Sequence, residues 1–209
     1  MKNNHTSHAN QILQWIIDTD YKSAKWFYNL NPKLTLPLKI ISLLGTIQFW
    51  ALFSLILFIY GIFFDQNIEN FSVLLFTGII GSLLTISVLK RIIRRKRPYM
   101  DEKLRVFARQ EFINREPYIS KRQESFPSGH MYFWVMESIF FYFYFGFWAL
   151  LPFLALLPFL FVSRIHLGVH FLSDVIVGML MGLCLGLLNL VIFNRYLSGL
   201  YLNWMTICL

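Results

Sequence analysis

Residues 40–64 contain no charged side chain. At about 1.5 Å of rise per residue, about 20 such residues cross the hydrocarbon core of a bilayer as a helix. A chain with this run folds in lipid, where each backbone N–H and C=O must be satisfied within its own segment. Three further apolar stretches repeat the pattern. Residues 71–89 form a second span after the polar turn 65–70, and Lys90 marks its exit. Residues 128–163 carry one full charge, Glu137, and are long enough for two crossings with a turn near 146–152. Asp174 is followed by an uncharged run to Asn194, the last span. The expected fold is an all-α polytopic bundle of about five transmembrane helices, built as a single domain over residues 1–209.

Composition agrees: 56% of residues are hydrophobic and only 14% charged, against about 25% charged in soluble domains. Residues 11–30 set Ile12, Leu13, Ile16, Ile17, Trp26 and Phe27 beside Asp18, Asp20, Lys22 and Lys25. That pattern predicts an interfacial amphipathic segment over 11–35 rather than a span. The first residues lack the basic, apolar and small-residue parts of a cleaved signal peptide, so insertion is expected to rely on the first span. Residues 99–127 are too charged to span and read as an extramembrane loop with one or two short amphipathic helices. Tyr201 and Trp204, in the tail, are placed at headgroup depth. Cys184 and Cys208 lie in apolar surroundings without metal-ligand spacing and read as buried or lipid-facing thiols.

Following the chain through the bilayer brings three polar clusters to one surface. Lys90 and Arg97 close the second span; seven residues apart, close to two turns, they are expected on one helical face, with Pro98 ending the segment. Pro127-Ser128-Gly129-His130 opens the third span. Ser163 and Arg164 close the fourth, and His170 and Asp174, at i, i+4 spacing, open the fifth.

Three cations around two histidines and a carboxylate describe a site for a phosphate. Arg97 and Arg164 can fork onto phosphate oxygens, and Lys90 adds a point charge. Ser128 and the Gly129 amide sit at a helix N-terminus, where free N–H groups favour an anion. Such an array stabilises charge on the equatorial oxygens during phosphoryl transfer. His170, with Asp174 one turn away to hold its tautomer, is the candidate nucleophile, and His130 the candidate general acid.

Blander readings stand beside this one. A basic run at a span end is most often a topology anchor, and Arg91, Arg94, Arg95 and Lys96 are assigned to anchoring or lipid headgroups. His166 and His170 also share i, i+4 spacing, with Asp174 as a possible third ligand. Three adjacent cations oppose a bound divalent ion there, so no metal and no cofactor are expected. The net charge of +8 suits an anionic lipid surface or a phosphate-bearing substrate. With the spans alongside, the expected partners are the bilayer and a membrane lipid phosphate, not nucleic acid.

The three clusters resemble the signature of the type 2 phosphatidic acid phosphatase (PAP2) superfamily: K-x6-RP at 90–98, PSGH at 127–130 and SR-x5-H-x3-D at 163–174, without mismatch. The similarity extends over about residues 34–186. The resemblance implies metal-independent hydrolysis of a lipid phosphate monoester or diphosphate through a phosphohistidine. In it His170 matches the nucleophile, His130 the acid and Asp174 the orienting carboxylate; Lys90, Arg97, Ser128, Gly129 and Arg164 match phosphate ligands. Candidate substrates are phosphatidate, phosphatidylglycerol phosphate, an isoprenyl diphosphate and lipid A phosphates. A lipid phosphotransferase would use the same residues. An anion or lipid transporter with a cationic pocket would not need the histidines in this order. Soluble vanadate-dependent haloperoxidases share related sites, but five spans argue against that branch. Many members have six spans; the one missing here would be the first, replaced by 11–30.

Small size and short loops suggest a bacterial cytoplasmic membrane. Of 19 Lys and Arg, 18 fall on the side of the site. The positive-inside rule then predicts a cytoplasmic site, whereas the resemblance implies a non-cytoplasmic one. The long loop 99–126 weakens the charge rule, and the non-cytoplasmic placement is preferred.

Overall fold

The structure is a computed structural model that describes residues 4–102, 104 and 124–197. Among these the elements are α1 (Asn4–Tyr28), a 3₁₀ turn (Pro32–Leu34), α2 (Thr35–Leu43), α3 (Ile47–Phe64), α4 (Gln66–Ile93), a 3₁₀ turn (Pro98–Met100), α5 (Gly129–Phe145), α6 (Phe147–His166) and α7 (Leu172–Ile192), which runs into a π-helical turn (Phe193–Leu197). The protein is all-α, as its hydropathy dictates. Most of the loop 99–127, with Phe107, Phe112, Ile113 and Tyr118, lies outside the described residues, as do Tyr201, Trp204 and Cys208.

Among the described residues, four helices are long and apolar enough to cross a membrane: α3, α4, α6 and α7 with its turn. The fifth expected span, α5, has 17 residues, about 26 Å of helix and slightly less than the hydrocarbon thickness of about 30 Å. It is the centre of the bundle, burying Met131, Tyr132, Phe133, Trp134, Met136, Ile139 and Phe140 against α4, α6 and α7.

The first span begins later than its charge-free run suggests. Residues 40–43 belong to α2, and the chain breaks at 44–46. There the extended Thr46 caps α3, its Oγ1 accepting the Phe49 N–H at 3.2 Å. Hydropathy cannot see such a cap, because both sides of it are apolar. The second span is longer than expected: Asp65 caps α4 by accepting the Asn67 N–H at 2.8 Å, so the polar residues 66–70 are already helical. The turn between α5 and α6 is Gly146, whose φ of 81° suits glycine. Pro152, at the other edge of the expected turn, lies inside α6.

α7 meets α5 through a stripe of Gly178, Gly182 and Gly186. A Cβ at Gly178 would stand 2.5 Å from the Ser128 carbonyl oxygen, and one at Gly182 2.5 Å from that of Tyr132. Small residues at i, i+4 let membrane helices approach this closely. The approach presses the start of α5 onto the start of α7, where two of the three polar clusters lie.

α1 packs on α6 and α7. Its inward face is not its greasiest one. Asp20 and Ala24 are buried, whereas Ile12, Leu13, Trp15 and Trp26 are exposed.

Candidate active site

Each cluster is delivered by a helix end. Lys90 lies in the last turn of α4, and its Nζ donates to the Glu124 carbonyl at 2.8 Å. α4 stops at Ile93: Arg94 turns left-handed (φ 45°) and returns its N–H to the Lys90 carbonyl at 3.1 Å. The next residues pair with the segment entering α5. Lys96 and Glu124 form an antiparallel bridge, and the Ser125 N–H donates to the Arg95 carbonyl at 2.8 Å. Arg97 is extended (ψ 155°), as a residue before proline must be. Lys90 and Arg97 therefore do not share a helical face, contrary to the sequence expectation. The helix ends between them, and a turn brings Arg97 back to the site.

Ser128 caps α5 in an extended conformation, and its N–H donates to the Asp174 carbonyl at 3.0 Å. Its Oγ is buried and has no hydrogen-bond partner among the described residues. Gly129 begins the helix, with the Ile86 side chain 3.6 Å from where a Cβ would stand. His130 follows, packed against the α2–α3 turn; a Cβ on Gly45 would come within 3.0 Å of its own.

Arg164, in the last turn of α6, is buried, and its Nη1 donates to Ser42 Oγ on α2. The chain then turns through Gly168 (φ 72°), and the His170 N–H donates to the Arg164 carbonyl at 3.2 Å. His170 is buried, and its Nδ1 lies 3.7 Å from Asp174 Oδ2. That is charge-pair reach, longer than a hydrogen bond. Contacts of this kind often tighten only when substrate is bound.

The charges converge on the histidines. Burial holds His170 well below the usual imidazole range, and Arg164, Arg97 and Lys90 push it the same way, while a contact with the Ser125 backbone acts in the opposite sense. Arg164, His170, Arg97 and Lys90 also act on His130. The structure thus brings together Lys90, Arg97, His130, Arg164 and His170, with Ser128 and Asp174 joined through their backbones. The arrangement offers a buried imidazole beside three cations, a second imidazole and a spare hydroxyl.

The metal alternative loses its first ligand. The His166 ring bonds the Phe27 carbonyl through Nδ1 at 2.8 Å and Thr35 Oγ1 through Nε2 at 3.1 Å. It ties the ends of α1 and α6 to the start of α2.

Sequence reasoning missed four residues around this site. Arg95, assigned to the membrane surface, instead donates to Asp174 Oδ1 at 2.8 Å and to Asp20 Oδ2 at 2.6 Å. Its guanidinium lies 4.2 Å from the centre of the Phe171 ring. Asp20, Ser173 and Ser42 complete the shell. Asp20 carried a legible signal: with Ile16 and Ala24 it falls on an i, i+4 stripe, where a carboxylate needs a buried partner. Arg95 carried none, standing among cations that a membrane surface explains equally well.

Comparisons with known proteins accord with this geometry. The PAP2 superfamily model matches residues 71–197. Among solved structures, the chain is similar to a transmembrane PAP2-type phosphatidylglycerolphosphate phosphatase from Bacillus subtilis, at 21% identity and a TM-score of 0.66, covering 93% of this chain and 89% of that one. It is also similar to LpxE from Aquifex aeolicus, at 19% identity and a TM-score of 0.60, covering 81% of this chain and 93% of that one. A comparison with curated proteins finds no significant match. The superfamily match covers well over half the chain and includes all three polar clusters, so this protein belongs to the PAP2 superfamily, as an integral membrane phosphatase.

Proposed function

We propose that the protein hydrolyses a membrane lipid phosphate without a metal, through a phosphohistidine on His170. The observation that carries this reading is the convergence of Lys90, Arg97 and Arg164 on a buried His170, at the helix ends where a lipid headgroup lies. The three cations and the Ser128 hydroxyl hold the phosphate oxygens, with the N-terminus of α5 at Gly129 adding amide donors. His170 Nε2 attacks phosphorus, because Nδ1 is the nitrogen facing Asp174. The P–O bond to the lipid breaks, and His130 gives its proton to the departing oxygen. Water then attacks the phosphohistidine, His130 accepts a proton from it, and inorganic phosphate leaves. Asp174 keeps His170 in the reactive tautomer and balances its positive charge in the intermediate.

A substrate already anchored in the bilayer needs no further binding energy to reach this depth. Phosphatidate, phosphatidylglycerol phosphate, isoprenyl diphosphates and lipid A phosphates all present the required group. The unit is one domain, with 11–35 lying along the interface. It belongs in a bacterial cytoplasmic membrane with the site on the non-cytoplasmic side.

The test is phosphate release by detergent-purified protein, in excess EDTA, across a panel of these lipids. Activity without metal, inhibition by vanadate and loss of turnover in His170→Ala are expected. Activity that requires a divalent ion, or that survives His170→Ala, overturns the mechanism.

A further inference from the structure

The carboxylate expected to orient His170 is itself held by residues that the three motifs do not specify. Asp174 Oδ2 accepts the Phe171 N–H at 2.9 Å, and Oδ1 accepts Arg95 Nη1 at 2.8 Å. Arg95 is shared between two helices. Its Nη1 also donates to Ser173 Oγ at 2.7 Å, and its Nη2 to Asp20 Oδ2 at 2.6 Å. Asp20 in turn accepts the Ser173 N–H at 2.8 Å and the Ser173 hydroxyl at 2.6 Å. A carboxylate from α1 thus caps, from another helix, the first turn of α7, the turn that carries Asp174. An acceptor for a free first-turn N–H, and a negative charge there, both favour the helix end. The same helix is tethered a second time: Tyr21 Oη donates to Asp101 Oδ2 at 2.6 Å. Burial pushes the Tyr21 phenol up to about 12, with Asp101 adding to the shift, so the tether keeps its proton at physiological pH.

A surface anchor would not be built this way. Asp20 and Asp174 are buried, and a buried carboxylate without a partner is costly. The planar fork of Arg95 satisfies both at once, and Phe171 covers its face. Its carbonyl also receives the Ser125 N–H, three residues before Ser128. One residue therefore links α1, the approach to α5 and the start of α7.

We propose that Arg95 and Asp20 are positioning residues: the Asp20–Arg95 pair fixes the Asp174 carboxylate so that Oδ2 faces His170, which makes α1 part of the reaction machinery. The proposal rests on the phosphatase reading, with His170 as nucleophile and Asp174 as its orienting partner. Arg95 does not bind the phosphate; it acts through Asp174. Losing it leaves Lys90, Arg97 and Arg164 to bind substrate but lets the carboxylate turn away.

The test is steady-state kinetics on the full chain in detergent, with the lipid phosphate that the wild type hydrolyses fastest. Arg95→Gln is expected to lower kcat about 10- to 100-fold, as lost supports of reacting groups do, with KM within about threefold. Asp20→Asn keeps an acceptor but loses the charge, and is expected to lower kcat by a smaller factor. The double variant should match Arg95→Gln alone, because both changes break one network. Arg95→Lys should recover only part of the loss, since it keeps the charge and not the fork. The exposed Arg91→Gln serves as a control with wild-type kcat. Wild-type kcat in Arg95→Gln, additive losses in the double variant, or a raised KM at unchanged kcat would each overturn the proposal. If Arg95→Gln does not fold, Asp20→Asn and Arg95→Lys decide by the same split: lower kcat at constant KM supports it, and unchanged kcat defeats it. The wild type and His170→Ala, run alongside, separate the two readings. A wild type that releases no phosphate from any lipid defeats the function itself, whereas an active wild type with an indifferent Arg95 defeats only the positioning role.

Discussion

Arg164 Nη1 donates to Ser42 Oγ, so a cation predicted to grip phosphate is braced by a serine 122 positions earlier in the chain. The bond crosses from α6 to α2, and both side chains are buried. The bond helps to fix the direction of a long side chain at a helix end. Ser42→Ala is therefore expected to raise KM by up to about tenfold, in line with about 1.5 kcal/mol for a hydrogen bond to a charged group. kcat should change less. Initial rates against lipid concentration at fixed detergent check this.

The pH profile follows from His170. Burial, then Arg164, Arg97 and Lys90, hold its imidazole well below the usual range. Its neutral form should persist into acid, which, with His170 as the proposed nucleophile, places the acid limb of kcat/KM below about 6.5, the unperturbed histidine value. Arg97→Gln removes one of these cations and should move that limb upward. Stability has the matching sign. The unfolded chain binds this proton more readily than the folded one. The contribution of His170 is thus fully present above the unfolded pKa and is lost as pH falls through the folded one. Thermal melts between neutral and mildly acidic pH test the direction.

His130 and His170 should separate by leaving group. If His130 protonates the departing oxygen, His130→Ala should cost about 100- to 10,000-fold on a lipid monoester, whose alkoxide needs that proton. The loss should be much smaller on p-nitrophenyl phosphate, whose phenolate leaves unaided. Equal losses on both substrates would remove His130 from the acid role.

The glycines of the bundle differ sharply. Gly178→Ala places a Cβ 2.5 Å from the Ser128 carbonyl oxygen, a backbone atom that cannot move without shifting the start of α5. A cost of about 1–3 kcal/mol is expected, with a fall in kcat because Ser128 moves too. Gly81, on the exposed side of α4, has nothing within 4 Å of its Cβ position. Gly81→Ala should instead stabilise the protein by up to about 1 kcal/mol, from helix propensity alone. Melting temperatures in one detergent compare the two.

Hydropathy and motif order made most of the architecture legible. Segment lengths and motif order assigned Lys90, Ser128, His130, Arg164, His170 and Asp174 to helix ends that the structure brings close together. A helix that enters lipid must leave it on the other side. What the sequence could not decide is how the chain behaves where the helices end. The left-handed Arg94 and the pairing of Lys96 with Glu124, rather than two turns of helix, return Arg97 to the site. Whether Arg95 faces lipid or Asp174 depends on partners from α1 and α7, 75 and 79 positions away. Charge patterns report that a side chain needs a partner; only the packed helices determine which partner lies within 3 Å, because that distance is set by backbone approach and not by order along the chain.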